Sequence, residues 1–212
     1  MLEKLAKQTA VYGISTIAVR FLSYLLTPVF TRVFEPEAYG IVTDVYALIP
    51  FALVVLTMGL ESAYFRFAAK ADAAAAAAGG TEGEIAARAR AGKRRLFATA
   101  WGVTLLAASL FFLLTAFGRE RVAEWMGEAY VAHPEYVLLV AAVVWFDVAA
   151  CLPFSRLREQ GRAMTFVGIK ALGVVVNVAL AIGFALAGLY GTPFGVGWVF
   201  VANLIASAVT FN

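Results

Sequence analysis

The stretch that decides the fold lies at residues 136–154 and reads YVLLVAAVVWFDVAACLPF. Asp147 is the only acidic or basic residue in it. A run of about 20 mostly apolar residues is long enough to cross the hydrocarbon core of a bilayer as a helix. The run is apolar on nearly every side, unlike the half-exposed helix of a soluble domain, which is apolar along one stripe. It therefore predicts a transmembrane helix.

The rest of the chain repeats this pattern. Of its 212 residues 62% are hydrophobic and 15% are charged, whereas soluble domains are about 45–50% apolar. Six transmembrane spans are predicted, at about 9–31, 41–65, 96–118, 136–154, 165–190 and 194–211. In lipid only helices and closed barrels satisfy their backbone, and unbroken runs of this length fit helices. The predicted fold is all-α, a polytopic membrane helix bundle of about six transmembrane helices.

Lysines and arginines concentrate at the N-terminus and in the connections after the second and fourth spans, while the other connections carry mainly acids. The concentrated cations are Lys4, Lys7, Arg66, Lys70, Arg88, Arg90, Lys93, Arg94, Arg95, Arg156, Arg158, Arg162 and Lys170. By the positive-inside rule these segments and the N-terminus are expected to be cytoplasmic. The net charge of +3 is then explained by orientation and by contact with anionic membrane lipids. Nucleic-acid binding is not predicted.

Residues 71–91 are of low complexity. Six alanines at 73–78 precede Gly79 and Gly80, and several charged residues follow. Such biased composition between two spans predicts a flexible cytoplasmic loop that is helical for a turn or two.

The sequence argues against covalent or metal chemistry. Cys151 is the only cysteine and His133 the only histidine, which argues against a disulfide, a metal cluster or a nucleophilic triad. No nucleotide-binding or zinc-protease motif is present. We therefore predict no cofactor, no metal and no enzymatic activity.

Polar residues at membrane depth are candidates for function because burying them in lipid is costly. They are Arg20, Asp44, Glu61 and Asp147, with Asn177 and Asn203 as uncharged companions. Arg20 and Asp147 both fall near the predicted midplane. Either they pair or line one aqueous cavity, or they form a buried pair that only fixes helix packing. Helix tilt could also bring one of them to the interface.

The remaining charged candidates lie nearer the ends of the predicted spans. Asp44 is predicted near the outer face and Glu61 near the inner one. Glu61 and Arg66 flank the inner end of the second span, where a surface ion pair or a snorkelling anchor is expected. Arg32, at the outer end of the first span, is included among the candidate cavity residues.

Three stretches resemble the polysaccharide-biosynthesis exporters, the oligosaccharide flippases of the multidrug/oligosaccharidyl-lipid/polysaccharide exporter superfamily. RFLSYLLTPVFTR at 20–32, followed by EPEAYG at 35–40, is similar to the first helix and outer turn of that family. GLESAYFRF at 59–67 is similar to the inner end of its second helix, and KRRLF at 93–97 to the entry of its third. GTPFGVGWVFVAN at 191–203 resembles a glycine-rich turn between two later helices.

The resemblance implies that the intact protein flips undecaprenyl-linked oligosaccharides across the bacterial inner membrane by alternating access. Arg20 would then pair with the phosphates of the lipid carrier. The chain departs from the family pattern in its alanine- and glycine-rich insertion. Family members usually have twelve to fourteen helices in two lobes, whereas this sequence has room for one. We therefore expect an N-terminal lobe cut from a longer protein, or one that needs a second subunit.

Other functions stay open on the sequence. A cation-coupled multidrug antiporter of the same superfamily is one, and an acid-dominated cavity would favour it. A membrane-embedded enzyme of glycan synthesis is another, although the outer loop at 119–135 is short for it. A non-transporting partner subunit is the third.

Overall fold

The structure is a computed structural model that describes residues 26–211. Within that range the chain forms nine α-helices, a 3₁₀ turn at Leu189–Gly191 and no strand. The helices are α1 (Thr27–Val33), α2 (Pro36–Thr57), α3 (Leu60–Ala77), α4 (Glu82–Phe117), α5 (Arg119–Met126), α6 (Glu128–Val131), α7 (Glu135–Glu159), α8 (Ala163–Leu186) and α9 (Gly197–Phe211). The all-α prediction is confirmed.

Four helical stretches of the described chain are long and apolar enough to cross a membrane. They are Pro36–Ala77, which joins α2 and α3, and the helices α4, α7 and α8. Helix α9 is apolar but has 15 residues, fewer than the roughly 20 that a perpendicular span needs. The predicted first span lies mostly outside the described residues, which contain its end as α1. The membrane bundle is thus confirmed, whereas the count of six spans is not.

Helix α7 is the centre of the bundle. More than half of its membrane-spanning window, 56%, is buried inside the protein, compared with 11% to 17% for the other three spans. It packs against α4, α9, α2 and α3. The outer helices expose large apolar side chains such as Phe51, Leu106 and Leu186. An apolar outer surface around a packed core is what a bilayer requires.

The predicted second span, 41–65, is interrupted. Helix α2 ends at Thr57 because Met58 and Gly59 both take left-handed backbone conformations, with φ of 48° and 69°. A left-handed glycine commonly ends a helix, since it has no Cβ to clash. A new helix, α3, starts at Leu60. The predicted second span therefore contains a break in the helix at Met58 and Gly59.

The predicted loop at 71–91 is also largely helical. Helix α3 continues to Ala77 and α4 begins at Glu82. Alanine has the highest helix propensity of all residues, so the alanine run extends α3. A capping box then starts α4: the Thr81 hydroxyl accepts from the backbone N–H of Glu84, whose carboxylate accepts from the N–H of Thr81. The turn between the two helices is confined to residues 78–81.

The α3–α4 turn and the α7–α8 connection lie at the same end of the bundle, which we call the basic end. Lys93 of α4 binds Asp72 of α3 at 2.7 Å and Glu159 of α7 at 2.6 Å. Arg158 of α7 forms a further ion pair with Glu61 of α3. These pairs connect α3, α4 and α7 where the apolar packing of the spans ends.

We expect Glu61→Gln to lower the stability of the bundle modestly. Both partners of the Glu61–Arg158 pair are about one-third exposed, so the pair is worth about 1 kcal/mol rather than the larger value of a fully buried pair. For a domain of this size the melting temperature should fall by about 2–4 °C. Thermal unfolding of the detergent-purified protein, followed by tryptophan fluorescence, measures it.

The matched control is Glu124→Gln on the exposed face of α5, which should leave the melting temperature unchanged. The charge-swapped double variant Glu61→Arg/Arg158→Glu should recover part of the loss. Equal melting temperatures for Glu61→Gln and the control would show that the ion pair contributes nothing to stability.

Candidate functional site

A cavity of about 740 Å³ is lined by residues of α1, α2, α8 and α9 and by Asp147 of α7. Its described lining consists of Leu26, Thr27, Phe30, Tyr39, Val42, Thr43, Tyr46, Pro50, Asp147, Lys170, Gly173, Val174, Asn177, Asn203, Ala206, Ser207 and Thr210. Ten of these 17 residues have polar or charged side chains, although the helices that carry them are apolar. The cavity therefore collects polar and charged groups within otherwise apolar spans.

Helical periodicity brings these side chains together. On α8 the lining residues stand at 170, 173, 174 and 177, and on α9 at 203, 206, 207 and 210. Both sets follow the i, i+3, i+4, i+7 spacing of a single helix face. At Gly173 the two helices come very close: a Cβ added there would lie 2.3 Å from the Thr210 methyl carbon. A glycine at this point lets the two polar faces meet.

The cavity has an ionic part, formed by Asp147 and Lys170. The Asp147 carboxylate interacts with the Ser207 hydroxyl and with the Lys170 ammonium. The Lys170 ammonium lies 4.2 Å from the ring centre of Phe154, close enough for a cation–π contact. Counting 1.5 Å per residue, Lys170 is about 10 Å and Asp147 about 18 Å from the basic end of their helices. A cation and an anion thus share the middle and basic side of the cavity.

The neutral part of the cavity lies towards the other end of the bundle. The Tyr46 hydroxyl lies beside the Asn177 side chain, and Thr43 and Asn203 also line this part. Asn177 is about 14 Å and Asn203 about 9 Å from that end of their helices. The Asn177 side-chain oxygen is buried and has no hydrogen-bond partner in the described chain. This part therefore offers amides and hydroxyls without charge.

A polar row along α7 connects the ionic part to the basic end. Asp147, Cys151, Ser155 and Arg158 are spaced by three or four residues and so share one face of the helix. The Cys151 thiol donates to the Glu61 carboxylate at 3.6 Å, and the Arg158 guanidinium donates to the Ser155 hydroxyl at 3.3 Å. The row runs from the cavity to the Glu61–Arg158 ion pair.

The structure brings three of the predicted site residues into this cavity: Asp147, Asn177 and Asn203. Arg20 lies outside the described residues, so its pairing with Asp147 stays a prediction. Arg32 is exposed near the end of α1 and does not belong to the described lining. Phe30 of the same helix does line the cavity, and a residue two positions further along a helix points about 160° away, so Arg32 faces outward.

The structural candidates Asp44, Glu61 and Arg66 have different surroundings. Asp44 is exposed on α2. Burial of the Tyr130 hydroxyl, together with the nearby Asp44 carboxylate, raises the pKa of Tyr130 to about 12. Glu61 pairs with Arg158 rather than with Arg66. Residues five apart on a helix point about 140° away from each other, so Arg66 faces outward while Glu61 faces α7. Of the two expectations for these residues, a surface ion pair or a snorkelling anchor, Glu61 does form an ion pair, but its partner is Arg158.

Sequence reasoning missed Lys170 as a cavity residue. It was grouped with the cations of the connection between the fourth and fifth spans, although it lies inside the predicted span 165–190. Lys170 lies seven residues into α8, and a lysine this far from a helix end needs a partner or water. Its depth in the helix could therefore have identified it as a cavity residue. The structure supplies Asp147 as a charged neighbour.

The helices and the cavity define a class, the multi-pass, all-helical membrane proteins with a polar site between their spans. A model of the polysaccharide biosynthesis protein family matches residues 5–212. Because this match covers nearly the whole chain, the chain belongs to that family. No curated protein and no solved structure is significantly similar to the chain.

Proposed function

We propose that the protein flips a lipid-linked oligosaccharide from the cytoplasmic to the outer leaflet of a bacterial inner membrane. The observation that carries the proposal is the cavity, in which Lys170 and Asp147 stand beside two amides inside apolar spans. A lipid-linked glycan has an apolar tail, an anionic phosphate group and a neutral, hydroxyl-rich sugar. The apolar tail suits the lipid-facing surface of the helices, the phosphate group suits the ionic part of the cavity, and the sugar suits its neutral part.

The phosphate group is the part that most needs protein contacts, because a charge in a low-dielectric site is costly unless it is paired. The Lys170 ammonium can supply a point cation to it. In our proposal Arg20 supplies a second. The cavity volume of about 740 Å³ lies in the usual range for small-molecule sites, and so suits a phosphate group with one or two sugars.

Alternating access would expose this cavity to each side of the membrane in turn. The described helices supply the lining given above. We propose that a second lobe, or a second subunit, completes the enclosure, and that the basic end faces the cytoplasm. No covalent step is part of this function, so the protein acts as a transporter rather than an enzyme.

Deleting the gene tests the proposal. In spheroplasts, membrane-impermeant periodate oxidises only outer-leaflet glycans, which hydrazide biotin then labels, while mass spectrometry of extracted lipids gives the total. We expect deletion to raise the total lipid-linked glycan and to lower its labelled fraction severalfold, with recovery on complementation. An unchanged labelled fraction would rule out flipping by this protein.

A cation-coupled multidrug antiporter is the second candidate, and Asp147 is the observation that favours it. Such transporters exchange a proton or sodium ion for an organic cation, which requires a carboxylate within the spans. Expressing the gene in a drug-sensitive host should then lower its susceptibility to cationic dyes, and Asp147→Asn should abolish this effect. We expect no change in susceptibility, because the cavity also holds Lys170, which repels a cationic substrate.

A further inference from the structure

We infer that the neutral part of the cavity is a sugar-binding subsite, in which Asn177 and Tyr46 recognise hydroxyl groups and so determine which glycan is carried. The inference rests on the proposed function. It adds the division of the cavity into a phosphate end and a sugar end, together with the residues that select the sugar.

The first support is the unpartnered oxygen of Asn177. A buried acceptor without a donor has lost its contacts with water and gained none in return, so buried polar atoms are nearly always paired. This oxygen is buried, lacks a partner among the described residues and belongs to a side chain that lines the cavity. A ligand hydroxyl that donates to it would complete the site.

The second support is the chemistry of the surroundings. A sugar hydroxyl both donates and accepts hydrogen bonds, and an amide side chain provides the complementary acceptor and donors. Asn203 offers a second amide and Thr43 a hydroxyl on the facing helices. The Tyr46 ring adds an aromatic face, against which the C–H face of a sugar ring can pack. The described lining has no acidic or basic residue at this level, which suits a neutral group.

The third support is the position of this part relative to Lys170. Asn177 and Lys170 are seven residues apart on the same face of α8, which corresponds to about 10 Å along the helix. A phosphate held at Lys170 would therefore leave the attached sugar near Asn177 and Tyr46. Lys170 would then bind the phosphate, while Asn177 and Tyr46 would bind the sugar of the same headgroup.

Binding of two lipids to the purified full chain in detergent tests the inference. The probes are undecaprenyl pyrophosphate and the same lipid carrying one N-acetylglucosamine. We expect the wild type to bind the sugar-bearing lipid about tenfold more tightly. Asn177→Leu should remove most of this preference, because a hydrogen bond strengthens binding by about 2- to 12-fold. Binding of the bare lipid should stay within twofold.

Tyr46→Phe removes one hydroxyl and should lower the preference by a smaller factor; it decides the question if Asn177→Leu does not fold. Tyr64→Phe, between α3 and α4 and outside the cavity lining, is the matched control. Equal binding of both lipids by the wild type would overturn the sugar subsite and leave flipping intact. A loss that is the same for both lipids in Asn177→Leu would also overturn it, whereas no binding of either lipid by the wild type would contradict the proposed function itself.

Discussion

Replacing Lys170 with glutamine is expected to reduce outer-leaflet display of the lipid-linked glycan at least tenfold. Lys170 is the one cation in the described lining of the cavity, and charge-assisted hydrogen bonds to a phosphate contribute about 1.5–3 kcal/mol. Their loss corresponds to a 10- to 150-fold weaker interaction. The periodate-labelled fraction of glycan in spheroplasts measures the effect, and Lys170→Arg should retain part of the activity because it keeps the charge.

Lys70→Gln is the matched control. Lys70 is exposed on α3, where its ammonium lies over the ring of Phe67 at 5.3 Å, so this variant should flip glycan like the wild type. The double variant Lys170→Gln/Asp147→Asn separates two roles of the lysine. If Lys170 only neutralises Asp147, the uncharged pair should restore flipping. If Lys170 binds the phosphate, the double variant should stay inactive, and this is the result that we expect.

The sequence predicted most of the helices because lipid imposes a simple rule of long apolar runs. Helices α4, α7 and α8 cover the predicted spans 96–118, 136–154 and most of 165–190. The errors concern residues whose conformation depends on local backbone geometry. The apolar run 41–65 does not reveal that Met58 and Gly59 are left-handed. The low complexity of 71–91 suggested a loop, whereas alanine propensity and the Thr81 cap make all of it but residues 78–81 helical.

The candidate site was predictable in part. Asp147, Asn177 and Asn203 stood out because they interrupt apolar runs, and all three line one cavity. The partner of Glu61 could not be predicted, since Arg158 is 97 residues away in the chain and the contact depends on how α3 packs against α7. Lys170 was assigned to a connection because it is close in sequence to Arg156, Arg158 and Arg162. Lys170 differs from these three arginines because it lies deeper along a membrane-spanning helix, although it is close to them in sequence.

Replacing Gly173 with alanine is expected to destabilise the packing of α8 against α9 by about 1–3 kcal/mol, the usual effect of overfilling a packed contact. The added Cβ would lie 2.3 Å from the Thr210 methyl carbon. Thr210 cannot rotate away easily, because it is β-branched on a helix and its hydroxyl donates to the Ser207 carbonyl at 2.9 Å. The melting temperature should fall by about 2–4 °C for each kcal/mol.

The cause of this loss can be isolated by removing the clashing methyl group. Thr210→Ser keeps the hydroxyl and deletes that methyl, so Gly173→Ala/Thr210→Ser should recover most of the stability, as expected for residues in direct contact. Gly183→Ala, where an added Cβ meets nothing within 4 Å, should leave stability unchanged or raise it slightly through helix propensity. If both alanine variants melted like the wild type, the close approach of α8 and α9 would be contradicted. The cavity forms where the polar faces of α8 and α9 meet, and this requires the close approach at Gly173. The same result would therefore also contradict the cavity.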